Sequence, residues 1–88
     1  MAEVIMYCKV TCPYCTRAER ILKDNKVTNL TKIGIDTNRE ARAEMIERSN
    51  GRTTVPQIFI NGKHIGGCDD LQALERSGKL TALLNASN

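Results

Sequence analysis

Cys12-Pro13-Tyr14-Cys15 lies between a short apolar run and an amphipathic helical pattern, and this placement constrains the fold more than any other feature of the chain. Val4-Ile5-Met6-Tyr7 has the length and β-branched content of a strand. After the motif, Cys15, Ala18, Ile21 and Leu22 recur at helical spacing, with Arg17, Glu19, Arg20 and Lys23 between them. Ile33-Gly34-Ile35 supplies a second apolar run. Strand, helix, strand predicts a βαβ unit. Pro13 reads as the first helical turn, so Cys12 falls at a helix N-terminus, where the dipole and free backbone N–H groups favour an anion. A thiol in that setting ionises more readily than a free one, and the thiolate is the form that attacks disulfides. A structural disulfide or half of a metal site would use the same two residues.

The rest of the chain favours redox chemistry. Eighty-eight residues predict a single domain over 1–88. No stretch approaches the apolar length of a membrane span. The start, Met-Ala-Glu-Val-Ile-Met-Tyr, has neither a basic n-region nor a long apolar h-region, which predicts no signal peptide and a cytoplasmic location. In that compartment four cysteines point to catalysis or metal binding rather than a disulfide framework. A Cys-x-x-Cys beside a βαβ unit is the pattern of a thioredoxin-like redox motif. The net charge of +3 is mild, and no basic stripe carries interleaved aromatics, so nucleic acid is not an expected partner.

The expected elements are a strand at 3–8, a helix at 13–25, a strand at 29–35 and a helix reaching about 49. Thr37 is read as the N-cap of that second helix, with Glu40 completing a capping box. Asn61-Gly62 between Gln57–Ile60 and Lys63–Ile65 predicts a hairpin with a two-residue type I′ turn. Asp69 and Asp70 open a further helix that Gly78 stops, and Leu80, Leu83 and Leu84 suggest a last short one. The order predicts an α/β fold: a four-stranded mixed sheet with helices on both faces, a three-layer sandwich.

Two further segments admit a plain and a functional reading. Thr53-Thr54-Val55-Pro56 reads first as a loop ending where a strand begins; an extended Val55 also leaves backbone groups free to pair with a peptide-like ligand. Gly66-Gly67-Cys68-Asp69-Asp70 reads as an ordinary strand-to-helix turn, whose helix start can also take a carboxylate.

With these pieces together the chain resembles the glutaredoxin family, and within it the small bacterial dithiol type. The match runs nearly end to end. It is carried by Cys12-Pro13-Tyr14-Cys15, Thr54-Val55-Pro56 and Gly66-Gly67-Cys68-Asp69-Asp70, in the family's order and spacing. The resemblance implies a thioredoxin-like fold, a cis bond before Pro56, and glutathione as substrate and reductant, with no permanently bound cofactor. It implies an enzyme in which Cys12 is the nucleophile that becomes glutathionylated and Cys15 the resolving thiol, the two forming a redox-active disulfide. The backbone of Val55, flanked by Thr54 and Pro56, would pair with the cysteinyl part of glutathione. Gly67, Cys68 and Asp69, at the helix start, would take the γ-glutamyl carboxylate, and Asp70 its ammonium. Lys9 would approach the glycyl carboxylate or the thiolate, with Arg39 or Arg42 as a second cation. Tyr14 would stay partly exposed beside the thiols. The implied partners are glutathionylated or disulfide-containing proteins, ribonucleotide reductase among the candidates, met by a monomer.

His64 is read as a surface histidine rather than a base. Cys8 and Cys68 are read as small packing residues. Two alternatives remain open. One is a redoxin recycled by thioredoxin reductase, against which the Gly66–Asp70 segment argues. The other is a metal or iron–sulfur protein, with Cys12, Cys15, His64 and Cys68 as conceivable ligands; proline after the first cysteine goes with redox activity in this family, so no metal is expected.

Overall fold

A computed structural model describes residues 3–85. The chain runs β1 (Val4–Cys8), α1 (Pro13–Asp24), β2 (Leu30–Gly34), α2 (Arg39–Arg48), β3 (Gln57–Ile60), β4 (Lys63–Gly66), α3 (Cys68–Ser77) and α4 (Lys79–Asn85). The four strands form one mixed sheet in the order β2-β1-β3-β4. β1 pairs parallel with β2, from Val4 opposite Leu30 to Cys8 opposite Gly34. It pairs antiparallel with β3, from Val4 opposite Ile60 to Tyr7 opposite Gln57.

The period-two alternation of the two central strands divides the core into two layers. Val4, Met6, Ile58 and Ile60 face α1, α3 and α4, where Ala18, Leu22, Leu71, Leu80 and Leu84 close over them. Tyr7 and Phe59 point the other way and pack with Ile35, Ala41 and Met45 beneath α2. Helices therefore cover both faces, as a parallel pair requires. The expected three-layer α/β sandwich is the observed one.

Asn61 and Gly62 have φ of 51° and 81°, the two positive values a type I′ turn needs. Gly78 ends α3 in the left-handed conformation at φ 76°. The N-cap of α2 departs from expectation. It is Asn38, not Thr37: the Asn38 carboxamide oxygen accepts the Ala41 N–H at 3.1 Å, and Glu40 lies inside the first turn. Both residues are good caps by type, and the choice is made by the backbone, which stays extended through Asn38 (φ −139°, ψ 100°) before it coils.

Asn38→Ala should therefore lower the unfolding free energy by about 1 kcal/mol. Thr37→Ala, which removes no cap, should stay within about 0.5 kcal/mol of the parent. Urea denaturation of the two variants side by side checks the assignment, and the reverse ranking would return the cap to Thr37.

Candidate active site

The loop after β1 delivers Cys12 to the N-cap of α1 with extended backbone (φ −96°, ψ 111°) and Pro13 in the first turn. The Cys12 carbonyl accepts the N–H groups of Cys15 at 3.1 Å and Thr16 at 3.2 Å, closing that turn. Cys12 is half-buried, and its Sγ lies 3.8 Å from the Val55 carbonyl oxygen. Cys15, one turn on, is only 4% exposed. Both are free thiols. Burial pushes the Cys15 thiol up to about 12, against a backbone hydrogen bond at Lys9 that lowers it and with the Cys12 thiol adding to the rise. Burial also raises Cys8, which is half-buried, and Cys68, which is buried. Cys8 and Cys68 pack against the layer beneath α1, as small residues would.

Val55–Pro56 is a cis peptide bond. The loop it belongs to meets the β4–α3 turn: a side chain at Gly67 would begin 3.3 Å from the Pro56 carbonyl oxygen. Gly66 has φ 121°, and a Cβ there would stand 2.2 Å from Asp70 Oδ2, so this position admits only glycine without rearrangement. Asp70 Oδ2 accepts the Gly67 N–H at 3.0 Å, holding the start of α3. Cys12, Cys15, Val55, Pro56, Gly67 and Cys68 are thus brought to one end of the sheet. Asp69 and Asp70 are exposed in the first turn of α3. Thr54 is exposed and its carbonyl is tied down by Gln57. Tyr14 is 56% exposed beside Cys12, with the Arg17 guanidinium 5.7 Å from its ring centre.

Other expectations meet a different arrangement. Lys9 touches the motif through its backbone, whose carbonyl accepts the Cys12 N–H at 3.4 Å; its exposed side chain makes no contact there among the described residues. Arg39 and Arg42 lie exposed in the first turn of α2, and neither side chain contacts the thiols among the described residues. Instead Arg52, which spacing gave no reason to single out, places Nη1 3.3 Å from Asp70 Oδ2. His64 is not a free surface histidine. Its Nε2 lies 2.7 Å from Gln57 Oε1 and its ring lies 5.0 Å from that of Phe59, because β4 pairs it opposite Phe59 on the covered face. Burial and the Arg52 charge lower its pKa, with Asp70 opposing. The fourth ligand of the metal alternative is therefore engaged with Gln57.

The family model for glutaredoxins matches residues 4–65. The chain is 56% identical to glutaredoxin 3 of Escherichia coli strain K12 over 84 residues, 96% of this chain and 99% of that protein.

The chain belongs to the glutaredoxin family.

It is a glutathione-dependent thiol–disulfide oxidoreductase with a thioredoxin-like fold. A solved glutaredoxin from Brucella melitensis, 51% identical, superposes with a TM-score of 0.80 over 96% of this chain and 89% of its own. The buckwheat glutaredoxin–glutathione complex, 31% identical, superposes with a TM-score of 0.84 over 94% of this chain and 76% of its own. In this glutaredoxin Cys12 lies half-exposed at the rim and Cys15 is buried behind it. A cleft of about 550 Å³, between the end of α1 and α4, is lined by Asp24–Asn29, Thr81, Leu84 and Asn85 and holds no thiol. Among the described residues no helix is long and apolar enough to cross a membrane.

The Cys15 environment makes a direct prediction. A pKa raised from the usual thiol range leaves less thiolate at any pH below it, so Cys15 reacts slowly at neutral pH. In a Cys12→Ser variant the burial that dominates the shift remains. Alkylation of Cys15 by iodoacetamide at pH 8 should run at least roughly tenfold slower than that of a free cysteine, and accelerate only in strong alkali. A rate equal to that of free cysteine would contradict the burial argument.

Proposed function

We propose that Cys12 is the nucleophile of this oxidoreductase and Cys15 its resolving thiol. The observation that carries the reading is their asymmetry. Cys12 stands at a helix N-cap, half-accessible, and faces the Val55 carbonyl; Cys15 lies inside the helix, buried and held protonated.

With a protein–glutathione mixed disulfide, the Cys12 thiolate attacks the glutathione sulfur. The new S–S bond forms as the old one breaks, and the departing protein thiolate takes up a proton. A second glutathione, as thiolate, then attacks the glutathione sulfur bound to Cys12, releasing glutathione disulfide and the Cys12 thiolate. With a protein disulfide, Cys12 first forms a mixed disulfide. Cys15 gives up its proton as it attacks the Cys12 sulfur, and the substrate's second thiolate leaves and is protonated. Cys12–Cys15 is then the oxidised pair, reduced again by two glutathiones.

The peptide-like backbone of glutathione has a partner in Val55, whose N–H has none among the described residues. The start of α3 at Gly67, Cys68 and Asp69 suits the γ-glutamyl carboxylate, and Asp70 suits its ammonium. In the free chain Arg52 holds that carboxylate, so the ammonium takes over an existing counter-charge. Thr54 and Pro56 shape the rim beside Val55, Tyr14 covers its open side, and Lys9 is the cation for the glycyl end, ahead of Arg39 and Arg42. The proposal takes residues 1–88 as one domain, acting as a monomer in the cytoplasm, where glutathione is kept reduced. Its protein clients are glutathionylated or disulfide-containing proteins, with ribonucleotide reductase a candidate. The thioredoxin-reductase alternative leaves the α3 helix start without a ligand and is not favoured.

The test couples the protein to glutathione, glutathione reductase and NADPH. Cys12→Ser should abolish turnover. Cys15→Ser should retain reduction of a glutathionylated peptide and lose reduction of a protein disulfide. Asp70→Asn keeps an acceptor for the Gly67 N–H and removes the charge; a charged hydrogen bond is worth about 1.5–3 kcal/mol, so apparent affinity for glutathione should fall at least roughly tenfold. Turnover by Cys12→Ser would overturn the assignment of roles, and turnover driven equally well by thioredoxin reductase would overturn the choice of reductant.

A further inference from the structure

Gln57 is a polar residue at the head of an otherwise apolar strand, and it is fully buried. An amide left without partners at such a position would be strongly destabilising. Both polar atoms of its side chain are used. Nε2 donates to the Thr54 carbonyl at 3.0 Å and to Thr54 Oγ1 at 3.2 Å. Oε1 lies 2.7 Å from His64 Nε2. A carbonyl oxygen only accepts, so the amide nitrogen must face Thr54 and the amide oxygen must face His64. His64 then presents an N–H at Nε2, and its ring is held by Phe59. The chain of bonds runs from a ring seated on the core, through a buried amide, to the loop beside Cys12.

The peptide plane gives this chain a direction. The Thr54 carbonyl and the Val55 N–H share one planar trans unit and point opposite ways. Gln57 draws the carbonyl inward, so the Val55 N–H is turned away from Gln57. That N–H has no partner among the described residues. Two residues on, Pro56 is buried and its carbonyl meets Gly67, which fixes the loop's other end.

We propose that Gln57, braced by His64, is a positioning residue that aims the Val55 N–H at the backbone of the bound tripeptide and so sets affinity for glutathione. The inference rests on the glutathione site proposed above. Gln57 touches neither thiol nor ligand; it acts through Thr54 and Val55.

The experiment measures steady-state reduction of a glutathionylated peptide, with iodoacetamide alkylation of Cys12 as a probe of the thiol itself. Gln57→Met keeps the volume and removes all three bonds. The expected result is an apparent KM raised roughly tenfold, by loss of one well-aimed hydrogen bond, with kcat changed less than twofold and Cys12 alkylation unchanged. His64→Phe keeps the ring on Phe59 and leaves Gln57 Oε1 without its donor; its KM should rise several-fold at unchanged kcat. This variant decides the matter should Gln57→Met fail to fold. A wild-type KM in His64→Phe and in any folded Gln57→Met, alongside a raised KM in Asp70→Asn, would overturn the role of Gln57 and leave the glutathione site standing. A wild-type KM in Asp70→Asn as well would overturn both. A loss confined to thermal stability, or shared equally by kcat and alkylation, would make Gln57 a structural residue and overturn the inference.

Discussion

Everything at the reactive end of this molecule depends on how α1 is seated. Ala18 and Leu22 are fully buried against Val4, Met6, Ile58 and Ile60 of the two central strands. A buried leucine of this kind is worth about 1.5–3 kcal/mol. With the helix axis pinned there, its first turn has one available position, at the end of β1, and the two cysteines inherit opposite environments from helical geometry alone. The N-cap residue lies at the rim. The residue three positions later turns inward with Ala18 and Leu22. No catalytic group separate from the helix is needed to make the two thiols unlike.

The opposite layer does a different job. Tyr7, Phe59 and His64 lie ring against ring, and the Arg48 guanidinium lies 4.5 Å from the centre of the Phe59 ring. The Tyr7 hydroxyl accepts from Arg48 Nη1 at 3.0 Å and donates to Glu44. This polar seam ties α2 to the sheet, and Gln57 extends it to the loop that carries Val55. The α1 layer thus places the sulfur, and the α2 layer places the backbone opposite it. The two meet across 3.8 Å between Cys12 Sγ and the Val55 carbonyl oxygen.

What was legible in the sequence was local. The Pro13 helix start, the Asn61-Gly62 turn and the Gly78 stop each follow from a residue's own backbone preference and stand where expected. The strands and helices agree to within a residue or two, because their apolar periods are clean. The α2 cap slipped by one residue because Thr37 and Asn38 are both competent caps, and only the path of the chain chooses between them. His64, Gln57 and Arg52 were misjudged or passed over for a shared reason. Their roles are set by partners brought near through strand register and loop closure: Tyr7 opposite Gln57, Phe59 opposite His64, Arg52 folded against Asp70. A lone glutamine before Ile58-Phe59-Ile60 was the one available hint, since a polar residue entering a buried strand must find a partner inside.

Two of the four cysteines are buried and a third, Cys8, is half-buried and partly desolvated, which has a consequence for how this chain meets oxidants and electrophiles. Desolvation holds Cys8, Cys15 and Cys68 toward the thiol form, and reactivity follows thiolate character and access. Of the 4 cysteines in 88 residues only Cys8 and Cys12 are part-exposed, and desolvation holds Cys8 toward the thiol. Peroxide damage, covalent inhibitors and labelling probes should all converge on Cys12, so a single adduct mass would report the state of the whole molecule.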